Sequence, residues 1–195
     1  MKNIFIDCEM TSLDSNGELI SLGALYIDDN GNERTFYAEF NDYDASHSNQ
    51  WVIDNVISKL KFINYDFKNC VTTFPGTNTI KAVEMKGSTK AISLRFVEWI
   101  QDVGDRCIFV ADVGHYDISM VFNMLGGAFS LPSNLSPAYT DLNMLIAIDK
   151  TLNVDQAFDL NREKLAGDIS SDDKHNALFD ARVARVIYYS IMKSN

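Results

Sequence analysis

Apolar residues arrive first as short runs and later at helical spacing. Asn3-Ile-Phe-Ile-Asp-Cys8 is a brief apolar run suited to a buried strand. Leu19 to Ile27 is apolar almost throughout and reads as a second, central strand. Asp28-Asp-Asn-Gly-Asn32 is a hairpin signal, so Arg34 to Phe40 is predicted as a third strand antiparallel to the second. Trp51 to Leu60 carries apolar residues at helical spacing. Asn64 to Thr79 is polar with a Pro-Gly pair and reads as a long loop. Ser88 or Thr89 caps a helix reaching about Val103, with Ile92, Phe96, Val97 and Ile100 on one face. Arg106 to Ala111 is a further buried strand. Helices follow over Asp117 to Leu125, stopped by Gly126-Gly127, then over Leu142 to Ile148 and over Asn176 to Met192. Strands followed by helices in this order predict an α/β arrangement around a mixed sheet.

Composition narrows the class. The 195 residues are 46% hydrophobic and 23% charged, ordinary for one globular domain spanning 1–195. Three prolines and ten glycines exclude collagen-like and low-complexity chains. No apolar run predicts a membrane span, and Met1 to Met10 reads as a strand with no secretory leader. The net charge of -10 argues against broad electrostatic capture of nucleic acid, though carboxylates that hold metal remain compatible with a nucleic-acid enzyme. Cys8, Cys70 and Cys107 form neither a disulfide framework nor a zinc pattern, which points to a reducing cytoplasm.

The chemistry lies in the acids. Asp7 and Glu9 stand two apart on the first strand, so period two puts both on one face. If the strand ends at Ile6, both are simply solvated; if it continues, they repel and need a cation or a raised pKa. Asp117 shares a helical stripe with Met120, Val121, Met124 and Leu125, and Asp180 shares one with Val183, Ala184 and Ile187. Either acid alone fits a favourable charge at a helix N-terminus. Inward acids in an acidic chain need a partner, and hard oxygen ligands favour magnesium or manganese. His175, five residues ahead of Asp180, is placed to take a proton from water. His115 is a candidate lining of the same cleft. No G-x-S-x-G elbow, Walker loop, G-x-G-x-x-G or H-E-x-x-H is present. Lys86-Gly-Ser-Thr-Lys90 reads as a helix cap.

These residues resemble the motifs of the DEDDh 3'-5' exonucleases. Asp7-Cys-Glu9 looks like the first motif, Asp112-Val-Gly-His-Tyr-Asp117 like the second, and His175-Asn-Ala-Leu-Phe-Asp180 like the third. The nearer resemblance is to the mycobacterial-type exoribonuclease RNase AS, through Glu18 to Gly23, Trp51-Val with Val56 and Leu60, Val113 to Asp117 with Leu131-Pro132, and His175 to Arg182. Ile6 to Thr11 also resembles oligoribonuclease. Asp112 stands where many relatives carry a histidine.

The resemblance implies a ribonuclease H-like α/β fold: a mixed five-stranded sheet of order 3-2-1-4-5 flanked by helices, its fifth strand within Ser136 to Asp141. It implies a metal-dependent 3'-5' exoribonuclease that takes single-stranded RNA to nucleoside 5'-monophosphates, favouring adenylate-rich 3' ends. Two Mg2+ or Mn2+ ions would lie about 4 Å apart. Asp7 would bridge them, Glu9 and Asp180 would complete one site, and Asp117 would hold the other through waters. His175 would be the base. Met10 and Thr11 would contact the terminal nucleotide, and Leu13 would either wedge its base or sit in the core. Lys59, Lys61, Lys81, Lys86 and Lys90 are candidates to track the backbone. Family members are often homodimers. A DNA-trimming enzyme, oligoribonuclease-like degradation of short oligonucleotides, and a non-catalytic scaffold are the alternatives, the last opposed by the intact acid set.

Overall fold

The computed structural model describes residues 1–64, 72–73, 82–169 and 174–194. Among them one mixed sheet of seven strands runs through the molecule. Its strands are β1 (Lys2–Met10), β2 (Leu19–Ile27), β3 (Glu33–Phe40), β4 (Thr72–Thr73), β5 (Ala82–Gly87), β6 (Cys107–Ala111) and β7 (Leu135–Asp141), in the order β4-β5-β3-β2-β1-β6-β7. Five of these are the predicted strands in the predicted order, including the fifth within Ser136 to Asp141. The sheet is larger than the five expected because β5 adds in parallel to β3 and β4 pairs antiparallel with β5. Apart from Thr72–Thr73 and Asn64, the predicted loop lies outside the described residues.

The helices are α1 (Gln50–Asn55), α2 (Thr89–Gln101), α3 (Gly114–Met124), α4 (Leu142–Lys150), α5 (Val154–Phe158), α6 (Arg162–Leu165) and α7 (Ala177–Ser194). None among the described residues is long and apolar enough to cross a membrane. Ser88 caps α2 as predicted. The Trp51 to Leu60 helix breaks after α1 into a 3-10 turn over Ile57–Lys59.

Period two sorts β1 between two layers. Ile4, Ile6, Cys8 and Met10 face α2 and α3 and join Ile92, Phe96, Trp99, Ile118 and Val121 in the main core. Phe5 faces the other way, into a layer closed by Leu178 and Ala181 of α7. The far side of α7 packs through Val183, Ala184 and Ile187 on Leu142, Ile146 and Ala157 of α4 and α5. Asp7 and Glu9 continue the Phe5 face, so they emerge beneath α7 at the carboxyl end of the central strand.

Candidate active site

The parallel pairing of β1 with β6 stops at Phe5 opposite Val110, whereas β1 goes on to Met10. The Cys8 N–H, beyond that ladder, donates to Oδ1 of Asp117 at 2.8 Å. This bond ties α3 to the strand that carries Asp7 and Glu9. The predicted helix start at Asp117 is three residues too late, because a partner from elsewhere in the chain caps the helix. Asp141, at the end of β7, accepts the Gly114 N–H at 3.1 Å and the Met144 N–H at 2.9 Å, capping α3 and α4 together. The extra turn places Asp117 in the first turn of a helix, where its carboxylate meets Cys8.

α7 brings the remaining pair. Asn176 accepts the Phe179 N–H, and the His175 N–H donates to Oδ2 of Asp180 at 3.0 Å. His175 holds a φ of 67°, a left-handed backbone that non-glycine residues rarely adopt. Its Nδ1 lies 3.8 Å from Oε1 of Glu9, and its ring meets the indole of Trp51 edge-on at 4.9 Å. One ligand atom each from Glu9, His175 and Asp180 lie within 4.8 Å of one another. The solvated-acid alternative for Asp7 and Glu9 therefore does not hold: β1 continues past Ile6, and both acids are partly buried.

The electrostatics follow from that crowding. Burial, then Asp117, Asp180 and Glu9, push the Asp7 carboxyl well above the ordinary carboxylate range. Burial followed by Asp180 and Asp117 pushes Glu9 up to about 8, with Lys59 opposing. Burial raises Asp117 to about 7 against the Cys8 N–H bond, and raises Asp180 to about 7 against the His175 N–H bond. Burial, then Lys174 and Lys59, lower His175. Four enclosed acids that resist ionising together form a donor set suited to divalent cations, whose charge would reverse the shifts. An oxygen-rich donor set of this kind suits a hard divalent cation, so the residues present fit a divalent metal ion.

Two cavities flank these acids. One, of about 450 Å³, is lined by Glu9, Met10, Thr11, Leu13, Trp51 and Val56. The other, of about 300 Å³, opens at Asp7, Asp112, His175 and Asp180 and runs between α7 and the α4–α6 segment. Leu13 is 65% exposed, which corrects the core alternative for it. A register shift between Glu9 and Met10 interrupts the β1–β2 ladder, which resumes with Met10 opposite Leu19. Thr11 is 1% exposed and braces the loop, donating its N–H to the Glu18 carbonyl and accepting the Glu18 N–H on its hydroxyl. His115 is not brought to the site: it is exposed, lies against Tyr116 and lines neither cavity. The sequence pattern places Trp51 only within a helix, yet it is 54% exposed beside His175. The signal in the sequence is a large aromatic lying off the Val52, Val56 and Leu60 stripe of that helical pattern. The lysine patch is only partly assembled. Lys61 pairs with Glu84, Lys86 donates to the Phe62 carbonyl, and Lys81 lies outside the described residues.

No family model matches the chain, and no curated protein matches it. Solved structures do. The nuclease domain of 3'hExo, a DEDDh family member bound to rAMP, matches with a TM-score of 0.63 at 11% identity, over 98% of this chain and 92% of that chain. Cell-death related nuclease 4 (CRN-4) matches with a TM-score of 0.63 at 14% identity, over 100% of this chain. The chain spans only 64% of the length of the CRN-4 chain. At these identities the likeness establishes the fold: an α/β sheet of the kind found in DEDDh nuclease domains.

Proposed function

We propose that this chain is a metal-dependent 3'-5' exonuclease that shortens single-stranded RNA to nucleoside 5'-monophosphates. The observation that carries the reading is the gathering of Asp7, Glu9, Asp117 and Asp180 at one end of β1. There the Cys8 N–H meets Asp117 and His175 lies 3.8 Å from Glu9, within a fold shared with DEDDh nuclease domains. Asp7, Glu9, Asp117 and Asp180 would hold Mg2+ or Mn2+. Bound there, the ions supply Lewis-acid stabilisation of the phosphoryl oxygens and a more acidic water.

The protein's own groups do the rest. Burial, with Lys174 and Lys59, lowers the His175 pKa and so favours the neutral imidazole, and with Nδ1 on the Glu9 side at 3.8 Å we assign Nε2 as the nitrogen that takes a proton from water. The larger cavity offers apolar walls at Met10, Leu13, Trp51 and Val56 for a terminal nucleoside. Leu13 and Trp51 stand at its rim as the stacking surfaces. Lys59, whose charge acts on both Glu9 and His175, is placed to meet a phosphate. With a net charge of -10, long polyanions gain little from long-range attraction, which favours free single-stranded ends. RNA, and adenylate-rich 3' ends in particular, is proposed from the motif resemblance to RNase AS.

The test uses matched 3'-labelled and 5'-labelled single strands of RNA and DNA with Mg2+ or Mn2+, comparing wild type with Asp7→Ala. Stepwise shortening from the 3' end, faster on RNA and absent in the variant, is the expected result. Faster DNA cleavage would reassign the substrate. Absence of metal-dependent cleavage of either strand would overturn the proposal.

A further inference from the structure

The segment between α4 and α7 had no predicted structure, yet it contributes two adjacent charged residues that grip opposite sides of the site. Arg162 and Glu163 are the first residues of α6. Arg162 is enclosed and fully engaged. Its Nε reaches both oxygens of Asp112 at 2.9 and 2.8 Å, Nη1 donates to the Ala157 and Leu160 carbonyls, and Nη2 donates to Asn143. Asp112 immediately follows β6 and opens the segment that leads to Asp117. Glu163 points the other way. It is 6% exposed, its Oε1 takes the Lys174 ammonium at 3.0 Å, and its Oε2 is buried with no hydrogen-bond partner among the described residues. Lys174 immediately precedes His175.

Three features make this a device. The Arg162 side chain fixes α6 both to Asp112 at the end of β6 and to the Ala157 and Leu160 carbonyls just before α6, so Glu163 starts from a rigid base. A buried carboxylate with one oxygen unpaired is costly, and it is retained here where it reaches the residue before His175. The residue it restrains leads into the left-handed backbone of His175, a conformation that persists only when its surroundings impose it. From these we infer that Glu163, anchored through Arg162 and acting through Lys174, is a positioning residue for His175. The inference rests on the exonuclease reading for its kinetic consequence but not for its structural one.

Two measurements separate these. In Glu163→Gln and in Lys174→Met, hydrogen exchange at the His175 amide, which donates to Asp180, should quicken at least about tenfold. Exchange at the Cys8 amide, which donates to Asp117, should stay unchanged. The charge-swapped double variant, Glu163→Lys with Lys174→Glu, should regain slow exchange at His175. On an RNA oligonucleotide, both single variants should lose about 10- to 100-fold in kcat with KM within about twofold, and the swap should recover most of it. Lys174 is partly exposed, so its variant decides the question if Glu163→Gln does not fold. Unchanged exchange at His175, or a swap no better than the single variants, overturns the inference. If wild type cleaves nothing, the exonuclease reading falls while the exchange results still decide the positioning role.

Discussion

Gly23 pairs with Asp7 across the β1–β2 ladder, and the first turn of α7 lies directly on it. A β-carbon at Gly23 would stand 2.2 Å from the Ala177 carbonyl carbon and 2.2 Å from the Leu178 nitrogen. Both are backbone atoms, so no side chain can rotate out of the way. The missing side chain is what lets Asp180 and His175 descend to the level of Asp7 and Glu9. In Gly23→Ala the helix must lift by more than about 1 Å, a displacement worth about 100-fold in rate when it separates reacting groups. Thermal melts should show a loss of roughly 1–3 kcal/mol, and kcat should fall far more than that loss of folded protein explains. Near-normal kcat would show that α7 finds another seat.

The clustered acids predict an inverted pH dependence without metal. A carboxyl whose native pKa is raised binds more protons folded than unfolded, so stability falls as pH rises from its unfolded value to its native one. For Glu9, Asp117 and Asp180 that window runs from 4.5 or 3.8 up to about 8 or 7. His175, lowered, works in the opposite sense, but only between its native value and 6.5. Melts in a chelator should therefore decline from about pH 5 to about pH 8. Added Mn2+ should raise Tm more at the upper end. A chelated protein that gains stability across that range would contradict the enclosed, mutually repelling arrangement.

Asp7→Asn removes one charge from the cluster and keeps the shape. In chelator at pH 8 it should melt higher than wild type, because repulsion falls. It should also lose most of the Tm gain on adding Mn2+, since a cation donor is gone. Stabilisation by metal as large as in wild type would exclude Asp7 from the metal site.

Leu13→Ala and Trp51→Ala address the rim of the larger cavity. Both side chains are largely exposed, so stability should change by no more than about 0.5 kcal/mol for Leu13, and somewhat more for Trp51, which touches His175. Loss of a stacking surface should raise KM about tenfold, in keeping with base stacking of about 1–3 kcal/mol. Fluorescence-anisotropy titration of a short labelled oligonucleotide, with Ca2+ in place of Mg2+, reads the same loss as weaker binding. Unchanged affinity in both variants would move the nucleoside elsewhere.

Much of this protein is written in local order. The run from Asn3 to Cys8 fixes a strand, and period two then puts Asp7 and Glu9 on one face. Helical spacing turns Asp117 and Asp180 inward, and Ser88 and Gly126-Gly127 punctuate their helices where expected. These are properties of a few consecutive residues, so they are legible from the chain alone. What the chain could not show depends on groups distant in sequence. The start of α3 is set by Asp141, the added strand β5 by the edge of β3, and the position of α6 by the grip of Arg162 on Asp112. The β-carbon that Gly23 lacks matters only because Ala177 comes to rest there. Trp51 becomes part of the site only when α1 meets the loop before α7. Periodicity belongs to the covalent backbone, whereas close approach and shared burial of charge arise only once the sheet has brought its strands and helices together.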